Sequence, residues 1–152
     1  MNPFTDFLCF RLGALTRRIQ RYYNNQFAKL NITLGQSFVL FHLLEADGSS
    51  VKDIAAAVQL DPPAITGLVD RLIKEGLVER QTDLNDRRTT KICLTDRGRK
   101  VAVQAELIAV EFNETMQKIV STDDSAAFER ALSLLEAEVP GRMCLSCKYG
   151  QL

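Results

Sequence analysis

Two groups of residues in this chain combine type and spacing in ways that do chemistry. The first is Asp86-Arg87-Arg88, preceded by the turn-forming run Asp83-Leu84-Asn85. Adjacent arginines on an extended segment point to different sides, so one can enter the narrow minor groove of a DNA duplex while the other meets phosphate. Asp86 is two residues before Arg88, close enough for its carboxylate to hold the guanidinium fork in one orientation. Alone, an Asp-Arg-Arg run is more often a solvated turn, so its neighbours decide. The second group is four cysteines, Cys9, Cys93, Cys144 and Cys147. Cys144 and Cys147 form a CxxC whose spacing permits a disulfide or half of a four-ligand metal site, and no second CxxC accompanies it. Cys9, in the first helix, has the alternative reading of a small apolar residue packed there. Cys93 alternates with Ile92 and Leu94 and reads as incidental. His42, the only histidine, lies in the apolar run Phe38–Leu44, which suits a core or ligand-pocket role better than ligation. No metal or cofactor is expected.

The elements around the arginine pair give it a context. Residues 62–75 read as a short amphipathic helix: Asp61 caps it, Pro62 sits where a missing amide costs nothing, and Gly76 stops it. Ile65, Leu68, Val69, Leu72 and Ile73 recur at helical spacing and face a core. Pro63, Thr66, Gly67, Asp70 and Lys74 fall on the opposite side, with Ala64 and Arg71 on its flank. Small, hydroxyl and basic groups on that face can approach base edges without a bulky side chain holding the backbone away. Upstream, Ser50-Val51-Lys52-Asp53 starts another helix with a hydroxyl cap and an acid three residues later, and Ile54, Val58 and Leu60 supply its buried side. Two helices joined so tightly cross steeply, which is helix-turn-helix geometry. Downstream, Leu77–Gln81 and Thr90–Thr95 are apolar and β-branched around a polar turn, a hairpin whose tip carries Asp86, Arg87 and Arg88.

The rest of the chain reads as long helices. In the first, from about Thr5 to Lys29, Leu8, Leu12, Leu15, Ile19 and Tyr22 alternate spacings of four and three, with Phe4 and Phe27 extending the apolar surface. A second starts near Thr95 or Asp96 and turns Val101, Ala105, Ile108, Phe112 and Ile119 inward. A third runs from Thr122 toward Val139 with Phe128, Leu132 and Leu135, and Pro140-Gly141 ends it. These helices either pair with a second copy or pack on themselves, and spacing alone does not choose. The expected class is therefore mainly α with a small β-hairpin wing: a winged helix-turn-helix lobe at about 35–98, helical dimerisation regions at about 4–30 and 96–140, and a cysteine-containing tail at 141–152, together one domain.

With 152 residues, 46% of them hydrophobic, the chain can bury a single core. Asp6 and Arg11 interrupt the apolar N-terminus, so neither a signal peptide nor a membrane span fits, and a cytoplasmic location is expected. Nineteen basic and nineteen acidic residues cancel. Their distribution is uneven: residues 87–100 hold Arg87, Arg88, Lys91, Arg97, Arg99 and Lys100 against Asp96, whereas residues 101–138 hold two basic side chains against eight acids. Local attraction for phosphate survives a neutral sum.

The run GLVERQTDLNDRRTTKICLTDRG resembles the wing signature of the MarR family of bacterial transcription regulators, through Gly76-Leu77-Val78, Asp86-x-Arg88 and Leu94-Thr95-x-x-Gly98. DPPAITGLVDRLIKEG is similar to that family's recognition helix, and SVKDIAAAVQL to the helix before it. The resemblance, from about residue 8 to residue 138, implies a homodimer on a palindromic operator, usually a repressor released by a small ligand or by cysteine oxidation. It implies that Arg88 enters the minor groove and that Asp86 orients it. LCFRLGA and the stretch through KLNIT resemble the start of the organic-peroxide-sensing branch of the family, which places the sensing cysteine at Cys9 and an assisting tyrosine at Tyr23; two further tyrosine positions hold Gly13 and Leu34. In a dimer of this type the last helix of one subunit approaches the first of the other, so Cys9 can meet Cys144 or Cys147 across the interface.

Three functional readings follow. A DNA-binding regulator uses Pro63, Ala64, Thr66, Gly67, Asp70, Arg71, Lys74, Asp86, Arg87, Arg88 and Lys91, and is governed either by the cysteines or by a small aromatic effector between Phe7, Phe10, Phe38, Phe41 and His42. A protein-interaction adaptor that retains the fold is the alternative, supported by the neutral charge. An enzyme is disfavoured, because no nucleophile–histidine motif, phosphate-binding glycine loop or metal-spaced cluster occurs.

Overall fold

The computed structural model describes residues 3–82, 90–120 and 122–139. In chain order the elements are α1 (Leu8–Phe27), α2 (Leu34–Glu45), α3 (Val51–Ala57), α4 (Pro62–Lys74), β1 (Val78–Thr82), β2 (Thr90–Leu94), α5 (Asp96–Ile119) and α6 (Thr122–Glu138). The mainly helical class with one hairpin agrees with the expectation. The first helix is shorter than its apolar spacing predicts. Extended Phe7 (φ −63°, ψ 134°) separates a 3-10 turn at Phe4–Asp6 from α1, and left-handed Asn31 (φ 55°) closes a second such turn at Ala28–Leu30.

Local side chains set the helix ends. At α2, Thr33 Oγ1 accepts from Gln36 N at 3.3 Å while Gln36 Oε1 accepts from Thr33 N at 2.8 Å, a reciprocal capping box. Ser50 and Asp53 repeat the device at α3, as expected, and the Ser50 hydroxyl and amide hold the Asp53 carboxyl below its usual range. Asp61 occupies the N-cap of α4, but its side chain makes no cap bond. Pro62 and Pro63 take the first two helical positions, so one of the two amides that a cap side chain ordinarily reaches does not exist.

Both helices of the central pair end in the same way. After α3, left-handed Gln59 (φ 55°) lets Leu60 N donate to Ala55 O at 3.0 Å. After α4, Gly76 (φ 68°) lets Leu77 N donate to Leu72 O at 2.9 Å. These six-residue closures satisfy the last carbonyls and turn the chain sharply. Leu60, expected on the buried side, is instead 40% exposed, because the left-handed residue before it carries it off the apolar face of α3.

The core sits where α4 packs on α2 and α3. Ile65, Val69 and Leu72 of α4 are buried with Phe27, Val39, Leu40, Leu43, Ile54, Leu77, Ile92, Ala102 and Ala105. A fully buried side chain of this size contributes about 1.5–3 kcal/mol relative to exposure. β1 and β2 pair antiparallel from Val78↔Leu94 to Thr82↔Thr90. Leu77 and Thr95, expected in the strands, leave the ladder. The Leu77 amide closes α4, and Thr95 starts α5 by accepting from Gly98 N on Oγ1 at 2.9 Å and from Arg99 N on its carbonyl at 2.8 Å.

The described residues divide into two units within α5, between Val110 and Glu111. In the first, α5 turns Ala102 and Ala105 into the core and leaves Val103, Leu107 and Val110 outside. In the second, Ile119, expected inward, is 73% exposed as the last residue of α5, and Phe128, Leu132, Leu134 and Val139 are also exposed. Among the described residues no single helix is long and apolar enough to cross a membrane.

Candidate nucleic-acid interface

The face of α4 away from the core is built as its spacing predicts. With Ile65, Val69 and Leu72 fixed inward, helical geometry turns Pro63, Ala64, Thr66, Gly67, Arg71 and Lys74 out, and all six are exposed. Thr66 Oγ1 donates to Pro62 O at 3.0 Å, which folds its hydroxyl back on the helix and leaves its methyl group outward. The side chains of Arg71 and Lys74 have no hydrogen-bond partner among the described residues. They stand in the last turn of α4, where cations suit the helix dipole. Gly67 lies in the middle of the helix, and a Cβ built on it meets nothing within 4 Å.

Asp70, grouped with these residues by spacing, is half-buried and engaged. Arg80 Nη2 on β1 donates to its Oδ1 at 2.7 Å, tying α4 to the hairpin. A carboxylate on a DNA-facing helix would repel phosphate, and the pair neutralises it while fixing one strand against the helix. Lys91, on β2, is half-buried. Asp86, Arg87 and Arg88 lie outside the described residues.

The C-terminal end of α4 is held from two sides. Buried Gln36 donates from Nε2 to the Glu75 carboxylate at 3.2 Å. From α5 and the residue before it, Arg97 Nη1 donates to Glu75 O at 2.9 Å and Thr95 Oγ1 to Gly76 O at 2.8 Å. The helix is thereby oriented by α2 and α5 together. None of these anchors figured in the sequence reading, although Thr33-x-x-Gln36 carries a visible cap signal.

Of the residues grouped as a ligand pocket, only some come together. Phe38, Phe41 and His42 line a cavity of about 330 Å³ with Glu45, Ala57 and Val58. Phe38 and Phe41 also line one of about 250 Å³ with Tyr23, Ile19, Leu34 and Ala109. Phe7 and Phe10 are elsewhere. Phe7 is exposed before α1, and the Phe10 ring meets Phe4 edge-on at 5.0 Å, with the Arg17 guanidinium 5.9 Å above it. Phe7 precedes α1, and Phe10 lies in it nine residues before Ile19, about 13 Å along the helix axis from that cavity-lining residue. Ser49 Oγ donates to Ala46 O at 2.7 Å, so it accepts from His42 Nε2 at 3.0 Å, which places the ring proton on Nε2.

Cys9 is exposed on the first turn of α1, not packed as a core residue. Tyr23 is half-buried, stacked on Phe27 at 5.3 Å, and burial followed by the neighbouring Tyr22 pushes its hydroxyl pKa up. Cys93 is half-buried on β2, and burial, then Asp47 and Glu79, push its thiol up. Iodoacetamide at neutral pH is therefore expected to modify Cys9 about tenfold faster or more than Cys93, read by peptide mass spectrometry, because only thiolate reacts; equal rates would contradict this. Cys144 and Cys147 lie outside the described residues. Among the described residues no three His, Cys, Asp or Glu side chains group closely enough to hold a metal ion.

Comparison with known proteins fits this arrangement. The MarR family model matches residues 32–90, from just before α2 to the start of β2. The HTH-type transcriptional regulator TtmR of Methylorubrum extorquens is 39% identical over 92 residues, 60% of this chain and 47% of that protein. The organic hydroperoxide resistance transcriptional regulator of Bacillus subtilis is 34% identical over 91 residues, 60% of this chain and 62% of its own length. The chain thus spans less than two thirds of either. The HTH-type transcriptional regulator MgrA of Staphylococcus aureus is 31% identical over 115 residues, 75% of this chain and 74% of that protein. All three relatives are transcription regulators and not enzymes. The structure of the S. aureus MepR–DNA complex superposes with a TM-score of 0.83 at 22% identity, over 92% of this chain and 100% of that one, which establishes the fold. A helix-turn-helix ending in a hairpin, matched by the family model and extended over most of a relative such as MgrA, makes this chain a member of the MarR family.

Proposed function

We propose that this chain is a cytoplasmic, homodimeric transcription regulator that represses by occupying an inverted-repeat operator and leaves it when Cys9 is oxidised or an aromatic ligand binds. The observation that carries the reading is the exposed face of α4, where Pro63, Ala64, Thr66, Gly67, Arg71 and Lys74 stand clear of the fold beside a hairpin. A helix of this size fits the major groove, and the adjoining wing brings Arg87 and Arg88 toward the flanking minor groove and phosphates. Lys91 follows them on β2 as a phosphate contact. The MepR relative was solved bound to DNA, which supports the same use of this fold.

Exposed apolar side chains support the second copy. Leu8 and Leu15 on α1, and Val103, Leu107 and Val110 on α5, are all 40% exposed or more, and a stable monomer rarely leaves so much apolar surface in water. Cys9 and Tyr23 stand fourteen residues apart on one helix, about 21 Å along its axis, so a tyrosine that assists this thiol belongs to the other protomer. The hydroperoxide regulator among the relatives supports peroxide as the oxidant. Thiolate attack on the peroxide forms an S–O bond and breaks the O–O bond. The alcohol leaves with a proton, and Cys9 becomes a sulfenic acid able to condense with Cys144 or Cys147 of the partner, releasing water. For an aromatic effector, the cavities around Phe38, Phe41 and His42 are the receiving site.

The test is selection from a random duplex library by the purified chain, followed by fluorescence anisotropy on the selected duplex. An inverted repeat with half-sites about one helical turn apart, roughly 34 Å, is expected, with affinity falling steeply as salt rises. Arg88→Ala is expected to remove binding while the dimer persists. Cumene hydroperoxide is expected to release the duplex and dithiothreitol to restore it. Failure to enrich any sequence overturns the DNA reading; equal binding before and after peroxide overturns the oxidation reading and leaves the aromatic-ligand one.

A further inference from the structure

Asp47 lies in the turn between α2 and α3, far in sequence from the hairpin, yet it holds the hairpin's base. Its Oδ1 accepts from Leu94 N at 2.9 Å and from Gly48 N at 3.1 Å. Its Oδ2 pairs with Arg99 Nη2 of α5 at 2.6 Å. The same turn pairs with β2 through backbone: Gly48 N donates to Ile92 O at 3.0 Å and Ile92 N to Ser49 O at 2.9 Å. Ile92 and Leu94 are two residues apart and present their amides to the same edge, so the Asp47 carboxylate continues the ladder by one rung where the turn's own backbone has ended. Gly48, at φ 80°, permits the turn to reach that edge.

We propose that Asp47 is a positioning residue for DNA binding: it fixes the direction in which the hairpin leaves the helical lobe by joining the α2–α3 turn, the end of β2 and the start of α5. Three elements meet at one carboxylate, and β2 is thereby anchored on the edge that β1 does not cover. The Asp70–Arg80 pair holds the other strand to α4, so each strand of the wing has its own polar tether. A two-stranded hairpin is marginal by itself, and its pose depends on such tethers. This inference rests on the DNA-binding reading above.

Charge makes the test discriminating. Removing an acidic side chain beside a phosphate-binding wing strengthens DNA binding if charge is all that matters. Loss of a positioning contact weakens it. The experiment compares the full chain with Asp47→Ala and Asp47→Asn, using the duplex selected by the wild-type protein, and follows amide hydrogen exchange at Leu94 in the free protein. Asp47→Ala is expected to weaken binding tenfold or more and to speed exchange at Leu94 tenfold or more. Asp47→Asn, which keeps an acceptor for the Leu94 amide and loses the ion pair, is expected to fall between, and carries the test if the alanine variant does not fold. Unchanged or tighter binding by a folded variant overturns the proposal, as does unchanged Leu94 exchange in Asp47→Ala. If the wild-type chain selects no duplex, the DNA-binding reading itself has failed, and with it any role of Asp47 in that function; the exchange arm then reports only on the anchoring of β2.

Discussion

Gly98→Ala is expected to destabilise the chain by about 3 kcal/mol or more, although it adds only one methyl group. Gly98 is buried in the first turn of α5, and a Cβ built there falls 1.7 Å from Leu77 O and 2.7 Å from the carbonyl carbon. The obstacle is backbone, so no rotamer change relieves it. That carbonyl is itself fixed, accepting from Thr95 N at 3.1 Å and from Thr95 Oγ1 at 3.2 Å, while Leu77 is buried. Either α5 must lift off the end of α4, breaking these bonds, or the chain after Gly76 must move away from the core. For a chain of this length the midpoint of thermal unfolding is expected to fall by roughly 6–12 °C. Gly13→Ala is the internal control, since a Cβ there meets only the tip of the Arg17 side chain at 3.3 Å. A midpoint for Gly98→Ala within a degree of wild type would show that the close approach of α5 to Leu77 is not maintained.

These contacts mark where sequence reading succeeds and where it stops. Ser50 and Asp53, or Pro62 and Gly76, act on amides and carbonyls within a few residues, so their types announce helix ends directly. Ile65, Val69 and Leu72 repeat at the helical period, which makes the buried side of α4 legible, and with it the outward side. Asp70 satisfies that same period, but its partner Arg80 stands on a strand whose placement no periodicity supplies. Asp47 is further out of reach, its partners being 47 and 52 residues away. Phe7 and Phe10 share only residue type with Phe38 and Phe41, and they stand at the N-terminal end of α1, more than two turns before the cavity-lining residue Ile19. What was illegible is mostly non-local and polar, because a single hydrogen-bonded pair leaves no repeat in the sequence.

Gly67→Ala is expected to do the opposite of Gly98→Ala to the fold and yet to impair binding. In mid-helix, replacing glycine by alanine stabilises by about 0.5–1 kcal/mol through lower entropy of the unfolded chain, provided the methyl group has room. Here it has room, with no atom within 4 Å of the built Cβ, and the backbone does not adopt a left-handed conformation. Nothing inside the fold therefore requires a glycine at this position, which agrees with a close approach from outside it. Glycine on an exposed helical face allows the backbone to approach a ligand most closely. Under the proposed function, the ligand on the face shared with Pro63, Ala64 and Thr66 would be the floor of the major groove. A methyl group interposed there holds α4 off the base edges and lengthens every neighbouring contact. Affinity for the selected duplex is expected to fall about tenfold, equivalent to roughly 1.4 kcal/mol, while the unfolding midpoint rises. The opposed signs are diagnostic, since damage to the fold would lower both. A variant that is more stable and binds DNA as tightly as wild type would show that α4 meets the groove along another line, with Arg71 and Lys74 nearer the bases than Gly67.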